Sequence, residues 1–200
     1  MANIYLMRHG KVLGEPALYG HTDVRVADDA QRELADLVVS KLGFKHIVTS
    51  PLIRCADLAT QVCHLDSTVS LNVHPNFKEM SFGQFDGVPF TQLDQQRSLL
   101  DAFYDSPAEV TLPDAETLAV FNRRVIEEWK TFVHNVEEDT LCILHGGVIR
   151  IILAHVLNID WRKPELFSRL QISNGSISHL EVFPDFEGWV TIKMIGCPLT

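Results

Sequence analysis

Short apolar runs alternate along the chain with longer stretches in which apolar residues recur every three or four positions. Six of the short runs are bounded by turn-forming residues, which is the pattern of strands. They lie at residues 4–7, 46–49, 68–73, 140–144, 176–183 and 189–195. The last two are predicted to be joined through Pro184-Asp185 and Glu187-Gly188.

The longer periodic stretches predict helices. They lie at residues 27–41, 52–63, 118–132 and 148–157. The third is the clearest, because its apolar residues fall on one helical face at spacings of three or four. They are Leu118, Phe121, Val125, Trp129 and Phe132.

The order of these elements predicts an α/β fold. Strands that alternate with helices favour a largely parallel sheet that is covered on both faces. Residues 76–113 are less regular and predict a short helix near 91–103 among long loops. No linker or repeat divides the sequence, and its length suits about one domain. We therefore expect a single domain over residues 1–200, with about 76–113 as an inserted lid or small subdomain.

The charge balance restricts the partners. The chain of 200 residues has 17 Lys and Arg against 26 Asp and Glu, which gives a formal net charge of -9. This acidic balance argues against nucleic acid and anionic membranes as partners, because a protein that binds them needs a basic surface. An anionic small molecule remains compatible if cations cluster locally against the global field.

The cysteine pattern and the absence of targeting segments bear on the compartment of the protein. None of the four cysteines forms a Cys-x-x-Cys pair, so we expect buried, reduced thiols. The sequence shows no signal peptide and no apolar run of roughly 18 residues, which predicts a cytoplasmic protein without a membrane span. We expect a monomer or a homodimer.

Candidate catalytic residues follow three of the predicted strands. Arg8 and His9 follow the first, His145 follows the fourth, and Arg54 lies just after the Ser-Pro turn that ends the second. Ligands bind at the carboxyl ends of parallel strands, so these side chains are expected at one sheet edge. A neutral imidazole is a good nucleophile toward phosphorus, and a guanidinium matches phosphate oxygens. We expect His145 to be protonated against a phosphate.

Glu79 is a candidate general acid. It lies among Met80, Phe82 and Phe85, an apolar setting of the kind in which a carboxyl can hold a proton near neutral pH. The histidines show no metal-ligand spacing, so no metal and no cofactor are expected. A phosphate-binding Gly-rich loop and a Gly-x-Ser-x-Gly elbow are both missing from the sequence.

Taken in order, these groups resemble the histidine phosphatase superfamily, the phosphoglycerate-mutase-like group. Five segments that span nearly the whole chain carry the resemblance. They are Met-Arg-His-Gly at 7–10, Tyr-Gly-His-Thr-Asp at 19–23, Thr-Ser-Pro-Leu-Ile-Arg-Cys-Ala at 49–56, Phe-Lys-Glu-Met-Ser-Phe-Gly at 77–83 and Leu-His-Gly-Gly-Val-Ile-Arg at 144–150.

The resemblance implies a three-layer α/β/α sandwich and a role for each matched residue. His9 would be the nucleophile that accepts the phosphoryl group, and Glu79 the proton donor. Arg8, Arg54 and His145 would form the phosphate pocket. Further phosphate or substrate contacts would come from Tyr19, Gly20, His21 and Gly146.

The sequence departs from the family pattern after Gly10. Lys11-Val12 and Glu15 stand where the family commonly has Glu-Thr and then Asn, so one usual phosphate-contacting amide is missing.

The substrate is left open among several classes. The short middle segment makes the chain more similar to the small phosphatases than to the mutases. Tyr-Gly-His-Thr-Asp at 19–23 and Glu-Met-x-Phe-Gly-x-Phe-Asp-Gly at 79–87 are similar especially to the alpha-ribazole phosphatases of cobalamin assembly. This implies a phosphomonoesterase acting on alpha-ribazole 5'-phosphate. The alternatives are a cofactor-dependent phosphoglycerate mutase, a broad-specificity small-molecule phosphatase, and an inactive module that binds phosphorylated ligands.

Overall fold

A six-stranded sheet forms the centre of the protein. The computed structural model describes residues 1–183 and 189–199. The strands are β1 (Ala2–Arg8), β2 (His46–Thr49), β3 (Ser70–Val73), β4 (Thr140–Leu144), β5 (Ser176–Phe183) and β6 (Trp189–Pro198). The helices are α1 (Asp28–Lys41), α2 (Ile53–Leu65), α3 (Arg97–Asp105), α4 (Leu118–Asn135), α5 (Gly146–Val156) and α6 (Glu165–Ser168).

The sheet is mostly parallel. Its strand order is β3-β2-β4-β1-β5-β6. The first four of these strands pair in parallel, whereas β5 runs antiparallel to both β1 and β6. The predicted α/β fold with a mostly parallel central sheet is therefore confirmed.

Apolar side chains leave both faces of the sheet, because successive residues of a strand point to opposite sides. In β1, Met7 packs with buried residues of α1 and α2. Its neighbour Leu6 packs on the other face, with buried residues of α4 and α5. Helices thus cover the sheet on both sides, as the alternation of elements predicts.

Several element boundaries differ by a few residues from the expectation, and two of these differences have a local reason. The third strand begins at Ser70 rather than at residue 68, because the Asp66 carboxylate accepts the backbone N–H of Thr68 (2.9 Å) in a turn. Helix α5 begins at Gly146 rather than at residue 148. Its glycines carry no apolar signal, and the N–H of Gly147 is bound by a side chain distant in sequence.

The middle segment packs onto the α4 and α5 side of the sheet. Four short 3₁₀ turns precede α3, at Pro75–Phe77, Gly83–Phe85, Phe90–Gln92 and Asp94–Gln96. The buried residues Phe77, Phe85 and Leu100 belong to the same apolar cluster as the sheet. The short helix expected near 91–103 is thus α3, displaced toward the C-terminus.

Three remaining expectations concern the turn between β5 and β6, the thiols and membranes. The turn expected at 184–188 lies outside the described residues. All four cysteines are free, and Cys55 and Cys142 are buried. Among the described helices, none has the length and apolar character that crossing a membrane requires.

Strand register places the candidate residues side by side. Arg8 lies opposite Leu144 across the β1–β4 pair, and Thr49 lies opposite Ile143 across β2–β4. The backbone N–H of His9 donates to the Leu144 carbonyl (3.0 Å), which extends the ladder by one residue. The residues that follow these strands therefore share the carboxyl edge of the sheet.

The central strand should dominate stability. Ile143 of β4 is fully buried, so Ile143→Ala should lower the free energy of unfolding by about 2–5 kcal/mol through lost burial and a cavity. Leu71 on edge strand β3 is 37% exposed, and Leu71→Ala should change stability by about 1 kcal/mol or less. Urea unfolding measures both; equal losses would contradict this account of the core.

Candidate active site

The two strand-end histidines meet at the carboxyl edge of the sheet. His9 follows β1 and His145 follows β4, and their ring centroids are 5.2 Å apart. Both side chains are buried, as is Arg54 in the first turn of α2. Residues far apart in the sequence thus surround one small volume.

Hydrogen bonding fixes the tautomer of His9. Its Nδ1 lies 2.7 Å from the carbonyl oxygen of Gly10. A carbonyl only accepts, so Nδ1 must carry the hydrogen and Nε2 keeps a free lone pair. Burial, reinforced by the charge of Arg54, lowers the pKa of His9 to about 3. The ring is therefore neutral at pH 7, as a nucleophile must be.

The backbone beneath His9 is held by a turn that sequence reasoning missed. The N–H of Gly175 donates to the carbonyls of Arg8 (3.0 Å) and His9 (3.2 Å). The amide of Asn174 donates to the carbonyls of His9 (3.1 Å) and Gly10 (3.2 Å). The Asn-Gly pair was a readable turn signal, but nothing in the sequence linked it to residue 9.

Arg54 is a fully buried cation whose guanidinium is bound on several sides. Its Nε donates to Nδ1 of His145 (3.2 Å). Its terminal nitrogens donate to the carbonyls of Tyr19 (3.1 Å), Gly20 (2.7 Å) and Thr22 (3.1 Å). These bonds compensate the cost of burying a charge. They also fix the 19–22 loop at the edge of the site.

Asp86 holds the same loop from the opposite side. Its carboxylate accepts the backbone N–H groups of Gly20 (3.1 Å), His21 (2.7 Å) and Thr22 (2.9 Å). Burial opposes ionisation, but hydrogen bonds from Thr22 and His21 outweigh it, and the pKa of Asp86 is lowered. Asp86 was also missed by sequence reasoning, although it lies within a segment similar to the family.

The 19–22 loop therefore contributes mainly through its backbone. The carbonyls of Tyr19 and Gly20 face Arg54, and the Tyr19 hydroxyl donates to the Glu15 carbonyl (2.6 Å). A methyl group on Gly20 would lie 2.1 Å from the Met80 carbonyl oxygen, so only glycine fits there. His21 is exposed at the rim. Direct phosphate contacts from Tyr19, Gly20 and His21 stay predictions.

His145 differs from the expectation of a protonated ring. Since its Nδ1 accepts from Arg54, its Nε2 carries the hydrogen and donates to the Ser50 hydroxyl (2.7 Å). Burial and the charge of Arg54 hold the pKa of His145 well below its ordinary value. The ring is therefore neutral in this arrangement, because it is buried and, among the described residues, contacts a guanidinium and no carboxylate.

Arg8 keeps a donor available. Its Nη1 donates to the Ile172 carbonyl (2.7 Å). Its Nε is buried and has no hydrogen-bond partner within residues 1–183 and 189–199. A methyl group on Gly146 would lie 3.0 Å from Nη1 of Arg150 and 3.3 Å from this Nε, so a side chain there would crowd both guanidiniums. An unpaired buried N–H is costly, and a phosphate oxygen would satisfy it.

Glu79 lies against the N-terminus of α5. Its Oε2 accepts the N–H of Gly147 (2.9 Å), and its Oε1 accepts the N–H of Met80 (3.1 Å). A methyl group on Gly147 would lie 2.3 Å from Oε1, so this glycine is what admits the carboxylate. The carboxyl group expected among apolar residues is thus also held by two backbone donors.

An apolar cavity of about 200 Å³ adjoins Glu79. Most of its lining is hydrophobic, with Glu79 and Arg150 as the charged groups. The remaining lining residues are Leu18, Met80, Phe82, Phe103, Tyr104, Pro107, Leu118, Phe121, Gly147 and Phe167. Phe82 and Phe103 line this cavity, whereas Phe85 lies in the core and does not line it.

The arrangement of the described residues does not suit a metal centre. Across residues 1–183 and 189–199, no group of three or more His, Cys, Asp or Glu side chains is arranged to hold a metal ion. The cationic groups of the site are instead the guanidiniums of Arg8, Arg54 and Arg150. They form a local positive cluster in a chain whose formal net charge is -9.

Comparison with known proteins gives relatives of differing length. Agropine synthesis reductase of Rhizobium rhizogenes is 26% identical over 193 residues, which is 90% of this chain and 39% of that protein. Mitochondrial serine/threonine-protein phosphatase PGAM5 of Mus musculus is 26% identical over 202 residues, which is 97% of this chain and 62% of that protein. The chain thus spans 39% and 62% of the lengths of these two relatives.

A solved structure supports the fold, and a family model supports the assignment. The crystal structure of the alpha-ribazole phosphatase from Shigella flexneri matches with a TM-score of 0.78 at 19% identity, over 97% of this chain and 96% of that one. At this identity the likeness shows a shared fold. The family model described as "Histidine phosphatase superfamily (branch 1)" matches residues 4–194. Because that match covers almost the whole sequence, the chain belongs to the histidine phosphatase superfamily, as its motifs indicate.

Proposed function

We propose that this chain is a phosphomonoesterase that forms a phosphohistidine at His9. The observation that carries the proposal is the pair of buried neutral imidazoles, 5.2 Å apart between centroids, with Arg54 bound to one of them. A nucleophilic nitrogen beside fixed guanidiniums is the arrangement that transfer of a phosphoryl group requires. The substrate is a small phosphate monoester.

The first step transfers the phosphoryl group to the protein. The lone pair on Nε2 of His9 attacks phosphorus, and the bond from phosphorus to the ester oxygen breaks. The electron pair of that bond stays on the leaving oxygen, which takes a proton from Glu79 in its carboxylic acid form. Arg8, through its unpaired Nε, would neutralise the charge on the phosphoryl oxygens. Arg54 would act at the same point by its charge.

The second step returns His9 to its starting state. Glu79, now a carboxylate, takes a proton from water while the water oxygen attacks phosphorus. The bond between phosphorus and Nε2 breaks, and its electron pair returns to the imidazole. Inorganic phosphate leaves, and Glu79 is again an acid. One carboxyl group thus serves both steps, first as acid and then as base.

For the leaving group, we propose alpha-ribazole. The cavity beside Glu79 is apolar and rich in aromatic side chains, which suits a ring-bearing alcohol better than phosphoglycerate. The segments at 19–23 and 79–87 are those that resemble the alpha-ribazole phosphatases. The structural match to the alpha-ribazole phosphatase from Shigella flexneri, at 19% identity, supports a common fold, and the substrate panel below tests the leaving group.

The nucleophile can be tested by trapping the intermediate. Rapid acid-free quenching after mixing with a ³²P-labelled monoester should give a protein-bound label that is labile to acid and stable to alkali, as a phosphohistidine is. His9→Ala should lose both the label and turnover. His64→Ala, which removes an exposed histidine at the end of α2, should retain both. Failure of the parent protein to label or turn over would favour a phosphate-binding module.

The acid role of Glu79 predicts a dependence on the leaving group. Glu79→Gln should slow hydrolysis of an alkyl phosphate by about 10²–10⁴-fold, because a poor leaving group needs the proton. Hydrolysis of p-nitrophenyl phosphate should fall far less, since p-nitrophenolate leaves without protonation. Steady-state kcat/KM values for both esters measure this difference, because kcat/KM reports only the steps up to transfer of the phosphoryl group to His9, before Glu79 acts as a base. Equal losses for the two substrates would remove Glu79 as the acid.

A substrate panel tests the leaving group. Alpha-ribazole 5'-phosphate should give the highest kcat/KM, above phenyl phosphate, phosphoserine and 3-phosphoglycerate, because its aromatic base fills the cavity. Mutase turnover is measured in parallel with 3-phosphoglycerate in the presence of 2,3-bisphosphoglycerate. Robust mutase activity would overturn the hydrolase proposal. Equal kcat/KM values across the panel would instead support a broad-specificity phosphatase.

A further inference from the structure

Arg124 of α4 and Glu116, just before that helix, hold the segment that carries Glu79. Arg124 and Glu116 form a largely buried ion pair, with side chains 18% and 11% exposed. Arg124 donates from Nε to Oε1 of Glu116 (2.7 Å) and from Nη2 to Oε2 (2.8 Å). This bidentate geometry fixes the plane of the guanidinium.

The other N–H groups of Arg124 bind the backbone of the Glu79 segment. Nη1 donates to the carbonyls of Asn76 (2.7 Å) and Lys78 (2.8 Å), and Nη2 donates to the carbonyl of Glu79 itself (2.9 Å). Together with the two bonds to Glu116, the guanidinium makes five contacts, which matches its five N–H donors. Lysine has three donors on one atom and cannot reproduce this pattern.

Glu128 and Glu116 make further contacts with the segment on either side of Glu79. The carboxylate of Glu128, one helical turn after Arg124, accepts from the Asn76 amide (2.8 Å) and contacts Nδ1 of His74 (2.5 Å). Glu116 is linked to the backbone of Ser81, whose carbonyl accepts the Glu116 N–H (3.1 Å). Residues 74–79 are therefore attached to α4, and Ser81 is attached to Glu116, which lies just before that helix.

We propose that Arg124, held by Glu116, is the positioning residue for the proton transfer by Glu79. Helix α4 supplies the backbone anchor through Arg124, and helix α5 supplies the side-chain anchor through the N–H of Gly147. The carboxyl group is thus aimed by two helices on the same side of the sheet. Arg124 itself contacts no reacting atom. This inference rests on the proposed acid role of Glu79.

The test compares leaving groups in matched variants. Arg124→Ala should lower kcat/KM for 2-phenylethyl phosphate by about 10- to 100-fold, since a misplacement of about 1 Å can cost that much. For p-nitrophenyl phosphate, kcat/KM should fall by less than about threefold, because the leaving group needs no proton. The ratio kcat/KM is compared because it reports the step in which the leaving group departs and excludes the later hydrolysis of the phosphohistidine. Arg123→Ala, which removes the adjacent exposed arginine, should leave both reactions unchanged.

Two further variants separate positioning from folding. Glu116→Gln keeps the side-chain volume but removes the charge that orients Arg124, and it should show the same substrate-dependent loss in weaker form. Arg124→Lys keeps the charge and should still show most of the loss. Retained p-nitrophenyl phosphatase activity reports that the pocket is folded in each variant. A uniform loss for both esters in all three variants would mean a structural role and would overturn the inference.

The Glu79→Gln variant distinguishes the acid role of Glu79 from the positioning role of Arg124. If Glu79→Gln and Arg124→Ala each slow the alkyl ester selectively, the double variant should be no slower than Glu79→Gln alone, because both changes act on one proton transfer. Additive losses would overturn the positioning role while leaving Glu79 as the acid. If Glu79→Gln shows no selectivity, the acid role and the inference both fail.

Discussion

The buried guanidinium of Arg54 is the interaction on which the rest of the site depends. A cation without water must be matched by acceptors, and here they are the Nδ1 of His145 and three carbonyls of the 19–22 loop. Its bond to Nδ1 sets the tautomer of His145. Burial, reinforced by the charge of Arg54, lowers the pKa of both histidines. Arg54 therefore fixes the hydrogen-bonding direction of one ring, helps Asp86 to hold the loop, and adds to the burial that keeps His9 neutral.

Under the proposed function, neutral imidazoles beside guanidiniums would make the site selective by charge. The positive charge belongs to groups that cannot lose a proton near neutral pH, while His9 keeps its lone pair. A dianionic phosphate would be attracted to this cluster and would oppose the effects that keep His145 neutral. Electrostatic stabilisation would then come from the arginines and nucleophilicity from His9.

Two glycines explain how the carboxylate of Glu79 and the guanidinium of Arg8 lie so close together. A side chain at Gly146 would crowd the guanidiniums of Arg150 and Arg8, and one at Gly147 would overlap the carboxylate of Glu79 at the start of α5. The apolar cavity begins at the same carboxylate, so the proposed leaving group and its proton donor are adjacent.

The sequence by itself determined the α/β alternation, the strand-end positions of His9 and His145, and the family, because periodicity and short ordered motifs are local properties. It also identified Arg54 and Glu79 as candidates. Only the tertiary structure decided what those side chains contact. The roles of Asp86, Asn174 and Arg124 depend on hydrogen bonds to backbone atoms, which any residue type presents, so no pattern in the sequence identifies the partners. Likewise, the neutrality of His145 follows from its burial and from the direction in which Arg54 donates, and both arise only when distant segments pack together.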